Sequence, residues 1–205
     1  MTNCIHTNNA YRNVGMLEVV NEPIGGQPSL ARTFYPTAYN KIREVERNLG
    51  KTQKNWLHIQ FMNALWGAGN SRQYLNNPVN IAYDNHRYPK WDPSVQKTQT
   101  GYLSTSCRDN VASDGLTPLI VGEWSISRAD NLEWNPEFHP TNSVNHAFYR
   151  EWWAAQVVAY EKQAGWVFWS WKTELGDDFR WRYKCAVEKG IIPKDPNQAY
   201  SMGAC

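Results

Sequence analysis

Residues 119–125 read Leu-Ile-Val-Gly-Glu-Trp-Ser, and this stretch is the starting point for the fold. Its first three residues are apolar, and Ile120 and Val121 are β-branched. They predict a strand that is covered on both faces, as in a parallel sheet. The strand runs directly into the carboxylate of Glu123. The stretch therefore predicts a buried strand with a charged side chain at its C-terminal end.

Four more stretches have the same character, a short apolar run bounded by loop or helix residues. They are residues 16–20, 56–61, 81–83 and 166–171. Helical patterns separate them, which is the order of a parallel α/β domain. No Gly-rich phosphate or dinucleotide fingerprint follows a predicted strand, so a (β/α)8 TIM barrel is favoured over a dinucleotide-binding fold. Since only five strands are predicted, the barrel is expected to be incomplete.

Three segments predict helices. The apolar residues of the first recur every three or four positions: Ala38, Ile42, Val45 and Leu49. Gly50 stands where a C-terminal cap belongs. A long helix is expected over residues 142–163, with Asn142 as its N-cap and Gly165 beyond its end. A final helix is expected over residues 179–188.

Composition argues against several kinds of partner. The net charge is +2 and no run of five Lys or Arg residues occurs, so neither a nucleic acid nor a membrane surface is expected to bind. No apolar run reaches ~18 residues, so no transmembrane helix is expected. The residues that follow Met1 are polar, and they predict no signal peptide in this chain.

The aromatic content is unusual, with 11 Trp and 11 Tyr against 6 Phe. Amphipathic rings in this excess suit a cleft that stacks on flat, hydroxylated faces such as those of sugars. A Trp-rich core explains any single Trp equally well. Composition therefore suggests a carbohydrate cleft without assigning a particular Trp to it.

Polar and aromatic side chains cluster at the C-terminal ends of the predicted strands. They are Asn21, Glu22, His86, Tyr88, Glu123, Trp124, Trp169, Trp171 and Lys172. In a (β/α)8 barrel the active site lies at this end of the strands. Several strand ends that all carry such groups therefore indicate an enzyme.

Two carboxylates stand out, because Glu22 and Glu123 each come just after a predicted strand. Glycoside hydrolysis uses two such groups, one to protonate the leaving oxygen and one to attack or to activate water. A single Glu after a strand is more simply explained as a helix N-terminal residue or a solvated loop residue. Two of them, together with their flanking residues, favour a glycosidase.

Four motifs, in order along the chain, resemble those of glycoside hydrolase family 5. They are Val-Asn-Glu-Pro at 20–23, His-Arg-Tyr at 86–88, Val-Gly-Glu-Trp-Ser at 121–125 and Gly-Trp-Val-Phe-Trp-Ser-Trp-Lys at 165–172. Within the family they are most similar to the fungal endo-β-1,6-glucanases, with the exo-β-1,3-glucanases second. The resemblance implies a retaining enzyme that acts on β-linked glucan without a metal or other cofactor. It also implies a monomer at full length, secreted or located in the cell wall.

The resemblance also implies a role for individual residues. Glu22 would be the general acid/base, and Glu123 would be the nucleophile. Tyr88 would donate a hydrogen bond to Glu123 and keep it ionised. The substrate-binding residues would be Asn21, His86, Tyr88, Trp169, Trp66 and Lys172, with Glu174 near the glycone side.

Simpler explanations exist for four of these residues. His86 could be a structural histidine with satisfied hydrogen bonds. Trp66, which is assigned to an outer subsite, could equally pack in the core. Lys172 and Glu174 could form a surface salt bridge.

In this family the Asn-Glu-Pro motif belongs to the fourth strand, and too few residues precede it here for three βα units. A full barrel takes ~250 residues. Residues 1–205 are therefore expected to be the part of one catalytic domain that covers strands 4 to 8, with residues 1–9 as the end of the third helix. Such a fragment is expected to be inactive and poorly folded alone. A non-catalytic glucan-binding protein is the alternative, although it would need no carboxylate pair.

The cysteines give one further expectation. Four of them are too few for a disulfide scaffold and lack the spacing of a zinc site. A secreted enzyme of this type could join Cys107, expected in a long loop, to Cys205 and so tether the C-terminus. Cys4 and Cys185 are expected to be free.

Overall fold

The structure is a computed structural model that describes the chain apart from residues 25, 26, 28, 64–69, 112 and 113. It divides into two compact units. Unit 1 comprises Met1–Asn85 with Ala112–Leu119, and unit 2 comprises His86–Val111 with Ile120–Cys205. No helix within the described part is both long and apolar enough to cross a membrane.

Strands and helices alternate along the chain. Unit 1 contains α1 (Thr2–Thr7), β1 (Met16–Glu18), α2 (Tyr35–Asn48), β2 (His58–Met62) and most of β3 (Ile81–Arg87). Unit 2 contains α3 (Gln99–Cys107), most of β4 (Leu119–Trp124), α4 (His146–Tyr160) and α5 (Tyr183–Glu188). This order confirms the prediction of an α/β fold.

The strands of unit 1 form a parallel sheet. Met16 of β1 pairs with His58 of β2, and Ile59 of β2 pairs with Ile81 of β3. The Tyr83 amide donates to the carbonyl oxygen of Pro118 (2.8 Å), just before β4 begins. Within unit 1 the order β1-β2-β3 therefore follows the order of the sequence, and the residue before β4 adjoins β3.

β1 differs from its prediction as a buried strand of five residues. It spans three residues, all half-buried, while β2 and β3 are mostly buried. Among the described residues β1 pairs only with β2, which leaves its other edge without a neighbouring strand. One-sided pairing accounts for the lower burial.

The prediction of helix α2 is confirmed, and Gly50 follows the helix with a φ of +67°. Its fully buried face is not the predicted one, however. Ala38, Ile42, Val45 and Leu49 are only half-buried. The buried residues lie on the neighbouring face and are Tyr35, Tyr39, Arg43 and Glu46.

Hydrogen bonds explain this choice of face. Arg43 Nη1 lies 2.6 Å from Glu46 Oε2, and its Nη2 donates to the carbonyl of Val79 (2.9 Å). Glu46 Oε1 accepts from the Leu57 amide (2.7 Å) and lies 3.0 Å from His6 Nε2. Buried charges are tolerated when they are paired and hydrogen-bonded. The pair thus attaches α2 to the loops that precede β2 and β3.

The predicted strand at residues 166–171 is wrong in extent, since only Trp166 forms a parallel bridge, with Val121. Val167 donates to the Val121 carbonyl and Trp169 donates to the Trp124 carbonyl, each at 2.8 Å. From the first bond to the second, the chain advances two residues on one side, from Val167 to Trp169, and three residues on the β4 side, from Val121 to Trp124. This is a β-bulge, and it breaks the regular ladder.

Helix α3 was not predicted, and Cys107 is its last residue rather than part of a loop. Its sequence, Gln-Thr-Gly-Tyr-Leu-Ser-Thr-Ser-Cys, has no apolar repeat. The helix begins with a cap instead, because Thr98 Oγ1 accepts from the Gly101 amide (3.0 Å). The disulfide between Cys107 and Cys205 is confirmed, with Cα atoms 5.4 Å apart, and Cys4 and Cys185 are free.

The two later helices are shorter than predicted. Asn142 caps a 3-10 turn, Ser143–Asn145, and α4 begins only after this turn. Phe179 is buried in a turn outside α5. Its burial makes it part of the core, which is why the apolar pattern included it in the helix.

The tryptophans divide between the core and the surface of unit 2. Trp124, Trp152 and Trp153 are fully buried. The exposed ones are Trp91, Trp134, Trp169 and Trp171. A Trp-rich core is therefore correct for the buried three, and stacking on sugars stays a prediction for the exposed rings.

Candidate active site

Glu123 lies inside β4 rather than after it, and two side chains from the β3 segment reach one of its oxygens. Tyr88 Oη donates to Glu123 Oε2 at 2.9 Å. His86 Nδ1 lies 3.5 Å from the same oxygen. The Glu123 side chain is 15% exposed and that of His86 only 1%. Donation to a carboxylate oxygen stabilises the ionised form of Glu123.

The alternating directions of side chains along β3 explain why His86 and Tyr88 approach the same carboxylate. Successive side chains of a strand point to opposite faces, so residues 86 and 88 share a face. His86 lies in β3, not after it as predicted, and Tyr88 directly follows the strand. Parallel strands end at the same edge of a sheet, and this brings Tyr88 to the end of β4.

Arg87 points to the opposite face and forms an ion pair behind the site. Its Nε lies 3.0 Å from Asp109 Oδ2, and a second contact joins Nη2 to Oδ1. Burial disfavours the guanidinium charge, but the Asp109 carboxylate outweighs it and raises the pKa of Arg87. The ion pair attaches the end of β3 to the segment that follows α3.

The segment after the Trp166 bridge presents accessible rings. Trp169 is 48% exposed, and its amide donates to the carbonyl of Trp124 in β4. Trp171 is exposed and stacks on Tyr183, with ring centroids 6.2 Å apart. Lys172 and Glu174 are exposed. Trp169 therefore presents an accessible ring surface at the residue whose backbone is hydrogen-bonded to β4.

Two rings around Tyr88 were not singled out from the sequence. Its centroid lies 4.9 Å from that of Trp91 and 5.8 Å from that of Trp181. The signal available was the short spacing between Tyr88 and Trp91, which places both rings in one turn. Nothing local to Trp181 indicated this contact.

Asn21 and Glu22 belong to unit 1, where both are exposed. They follow β1 closely, and Val19 still donates to the Gln60 carbonyl of β2 (3.2 Å). Glu22 has a φ of 38°, in the left-handed region that residues other than glycine rarely adopt. Such backbone positions cluster at functional sites. Trp66 lies outside the described residues.

The comparison with known families identifies the chain. Residues 5–175 match the family described as Cellulase (glycosyl hydrolase family 5), which is more than half of the sequence. The chain belongs to glycoside hydrolase family 5. The resemblance of its four motifs to this family is thereby confirmed.

Both near and distant relatives match the chain. The chain is 50% identical over 208 residues to "Glucan endo-1,6-beta-glucosidase B" of Emericella nidulans, covering 100% of this chain and 50% of that protein. A "Probable glucan endo-1,6-beta-glucosidase B" of Aspergillus terreus is 47% identical with the same coverage. "Glucan 1,3-beta-glucosidase 2" of Wickerhamomyces anomalus is 23% identical, covering 92% of this chain and 50% of that protein. The chain spans about half the length of the curated relatives it matches.

Solved structures support the fold. The crystal structure of AoRut matches with a TM-score of 0.65 at 17% identity, covering 93% of this chain and 54% of that one. The rutinosidase from Aspergillus niger matches with a TM-score of 0.57 at 15% identity, with the same coverage. The parallel strands and intervening helices of this family 5 chain are consistent with part of a (β/α)8 barrel.

Proposed function

We propose that this chain carries the catalytic carboxylates of a retaining endo-β-1,6-glucanase. The observation that carries the proposal is the hydrogen bond from Tyr88 to Glu123, in a chain 50% identical to a protein named glucan endo-1,6-beta-glucosidase. In the proposed architecture, residues 1–205 supply strands 4 to 8 of one (β/α)8 catalytic domain. Glu22 then follows strand 4, and Glu123 ends strand 7.

The proposed reaction is a double displacement. The Glu123 carboxylate attacks the anomeric carbon, the bond from that carbon to the glycosidic oxygen breaks, and Glu22 gives its proton to the departing oxygen. Glu22 then takes a proton from water, whose oxygen attacks the anomeric carbon and releases Glu123. This double displacement needs the two carboxyl groups to lie ~5–5.5 Å apart, whereas an inverting enzyme needs a separation of ~6.5–9.5 Å.

The surroundings of Glu123 support its role as the nucleophile. An attacking carboxylate must be ionised, and Tyr88 donates to its Oε2. His86 lies close to the same oxygen and is buried, so its ring is held in place. Glu22 is exposed, as a group that exchanges protons with a leaving group and with water should be.

The proposed substrate contacts are made by aromatic and polar side chains. Trp169 would stack on the sugar at the cleavage point, because its ring is half exposed. Asn21 would bind the sugar 2-hydroxyl. His86 would line the cleft beside the nucleophile, and Lys172 would contact the glycone side. Trp66 is kept as a proposed outer-subsite residue.

Secretion is proposed from the cysteines and the relatives. Disulfides persist in oxidising compartments, and Cys107 and Cys205 form one. A secreted or cell-wall enzyme that works as a monomer on polymeric glucan fits this chemistry. The substrate is the proposed partner, with neither nucleic acid nor membrane involved.

The decisive experiment compares linkages in the protein at its full length. Purified protein should release reducing sugar from a β-1,6-glucan (pustulan type) and little from a β-1,3-glucan (laminarin type). Early oligosaccharide products would show endo cleavage. Preferred hydrolysis of the β-1,3-glucan to glucose would instead establish the exo-β-1,3 activity. Binding of either glucan without any release of sugar would establish a binding protein.

A further inference from the structure

A lysine is buried between two tryptophan rings beside Tyr88, and we refer to Lys90, Trp91 and Trp181 as the Lys90 cluster. Lys90 is 7% exposed, and its Nζ lies 4.9 Å from the centroid of each ring. The same Nζ lies 2.7 Å from Asp130 Oδ1 and 3.4 Å from Ser127 Oγ. Burial of an ammonium is costly unless it is compensated. These contacts provide the compensation.

The Lys90 cluster and its partner Asp130 join three segments of unit 2 that are distant in sequence. Lys90 lies in the 3-10 turn after β3, Asp130 in the loop after β4, and Trp181 just before α5. The Ser170 amide donates to the Trp181 carbonyl (2.8 Å), so the third segment is attached next to Trp169. A single ammonium thus connects the loop of the proposed nucleophile to the loop that carries Tyr88.

The two rings that enclose the ammonium also hold Tyr88. The Trp91 ring meets the Tyr88 ring edge-on, at 63°, and the Trp181 ring is tilted against it at 41°. The position of a phenol oxygen follows from two side-chain torsions, and packing of the ring decides both. The Lys90 cluster therefore determines where Tyr88 Oη points, and it points at Glu123 Oε2.

We propose that Lys90 is a positioning residue that acts on the nucleophile Glu123 through Tyr88. The inference rests on the proposed function, because it requires Glu123 to be the attacking group. When the ammonium is removed, the rings of Trp91 and Trp181 lose the cation between them and the link to Asp130. Tyr88 then moves within a looser wall, and its hydrogen bond to the carboxylate weakens.

A double-mutant cycle tests the inference in the protein at its full length. Wild type, K90M, Y88F and K90M/Y88F are compared for kcat and KM on an aryl β-gentiobioside and on β-1,6-glucan. We expect K90M to lower kcat about tenfold with KM within about twofold, because it weakens a hydrogen bond whose complete loss is expected to cost about 10- to 100-fold. In the Y88F background K90M should lower kcat less than about twofold further, since residues that act as a unit are not additive.

Two further variants separate positioning from general stability. K90R keeps a cation that can lie over aromatic faces, and it should recover part of the kcat lost in K90M. K184M is the matched control, because the Lys184 side chain forms a surface ion pair with Glu188 (3.3 Å) and its loss should leave kcat unchanged. If K90M does not fold, K90Q replaces it in the same cycle.

The outcomes are distinct. Three results would each overturn the positioning role. They are a wild-type kcat in K90M, a fold loss of kcat from K90M that is the same in the Y88F background as in wild type, and a kcat of K90R no higher than that of K90M. A wild-type protein that cleaves no β-linked glucan and no aryl glycoside would instead contradict the proposed function. An active wild-type enzyme in which the effects of Y88F and K90M on kcat are non-additive supports both the proposed function and the positioning role.

Discussion

Tyr88 Oη lies 2.9 Å from Oε2 of Glu123, and this hydrogen bond joins the end of β3 to the end of β4. Its two residues are 35 apart in sequence. His86 Nδ1 approaches the same oxygen at 3.5 Å, from the same face of β3. Glu123 is thus held from one side by two groups of a single strand segment.

Removal of the Tyr88 hydroxyl should weaken catalysis without removing it. We expect Y88F to lower kcat/KM about 10- to 100-fold, the size expected for a hydrogen bond to a charged group. The acidic limb of the pH profile should move to higher pH, because the ionised form of Glu123 loses a donor. Tyr200, which is exposed, provides the control variant Y200F. An unchanged acidic limb in Y88F would show that the bond does not act on the nucleophile.

The two carboxylates should differ in their response to substitution. E123Q should abolish turnover of every substrate and form no covalent intermediate. E22Q should lower the rate on glucan about 10²–10⁴-fold, the usual contribution of acid–base catalysis, but should still form the intermediate from an activated aryl glycoside. Mass spectrometry after treatment with a fluorosugar checks this. A label on any residue other than Glu123 would overturn the assignment of the nucleophile.

Loss of the Cys107–Cys205 disulfide should destabilise the protein substantially. The two cysteines are 98 residues apart, and closure of a loop of about that length contributes on the order of 4–5 kcal/mol in the chain-entropy description. The double variant C107S/C205S should therefore unfold at a clearly lower denaturant concentration under oxidising conditions. C4S, which changes an exposed free thiol, should match wild type. Equal midpoints for the double variant and wild type would contradict the stabilising role.

Alkaline pH should destabilise unit 1 through Tyr35. Burial, with the nearby charge of Glu18, raises the pKa of Tyr35 to about 12 from 10.0. The folded state therefore favours the neutral phenol, and this stabilisation is complete below pH 10 and is lost as pH rises from 10 to 12. The loss is on the order of 2–3 kcal/mol. Urea unfolding at several pH values measures it.

The variant Y35F isolates this contribution. Its stability should fall less steeply between pH 10 and 12 than that of wild type, while other buried tyrosines, such as Tyr83 and Tyr102, keep part of the slope. Tyr11 is exposed, and Y11F should keep the wild-type slope. A wild-type slope in Y35F would mean that Tyr35 does not carry the effect.

Local patterns predicted those elements that local chemistry stabilises. The apolar run 119–121 predicted β4, Asn142 predicted a helical N-terminus, and Gly50 predicted the end of α2. Helix α3 was missed because it has a cap but no apolar period, and residues 166–171 were overextended because a bulge interrupts their pairing. Periodicity reports burial, whereas caps and bulges are hydrogen-bonding features.

By itself, the sequence determined the family, the α/β fold class and the two candidate carboxylates, because motifs at strand ends are short and contiguous. Only the tertiary structure decided that Tyr88 and His86 share one oxygen of Glu123, that Arg43 and Glu46 are buried on α2, and that Lys90 lies between two rings. Each of these contacts depends on how elements pack against segments that lie elsewhere in the chain. The energy of a buried charge depends on its partners. Those partners come from distant segments, so apart from the Tyr88–Glu123 bond, which the family resemblance implied, no local pattern could indicate them.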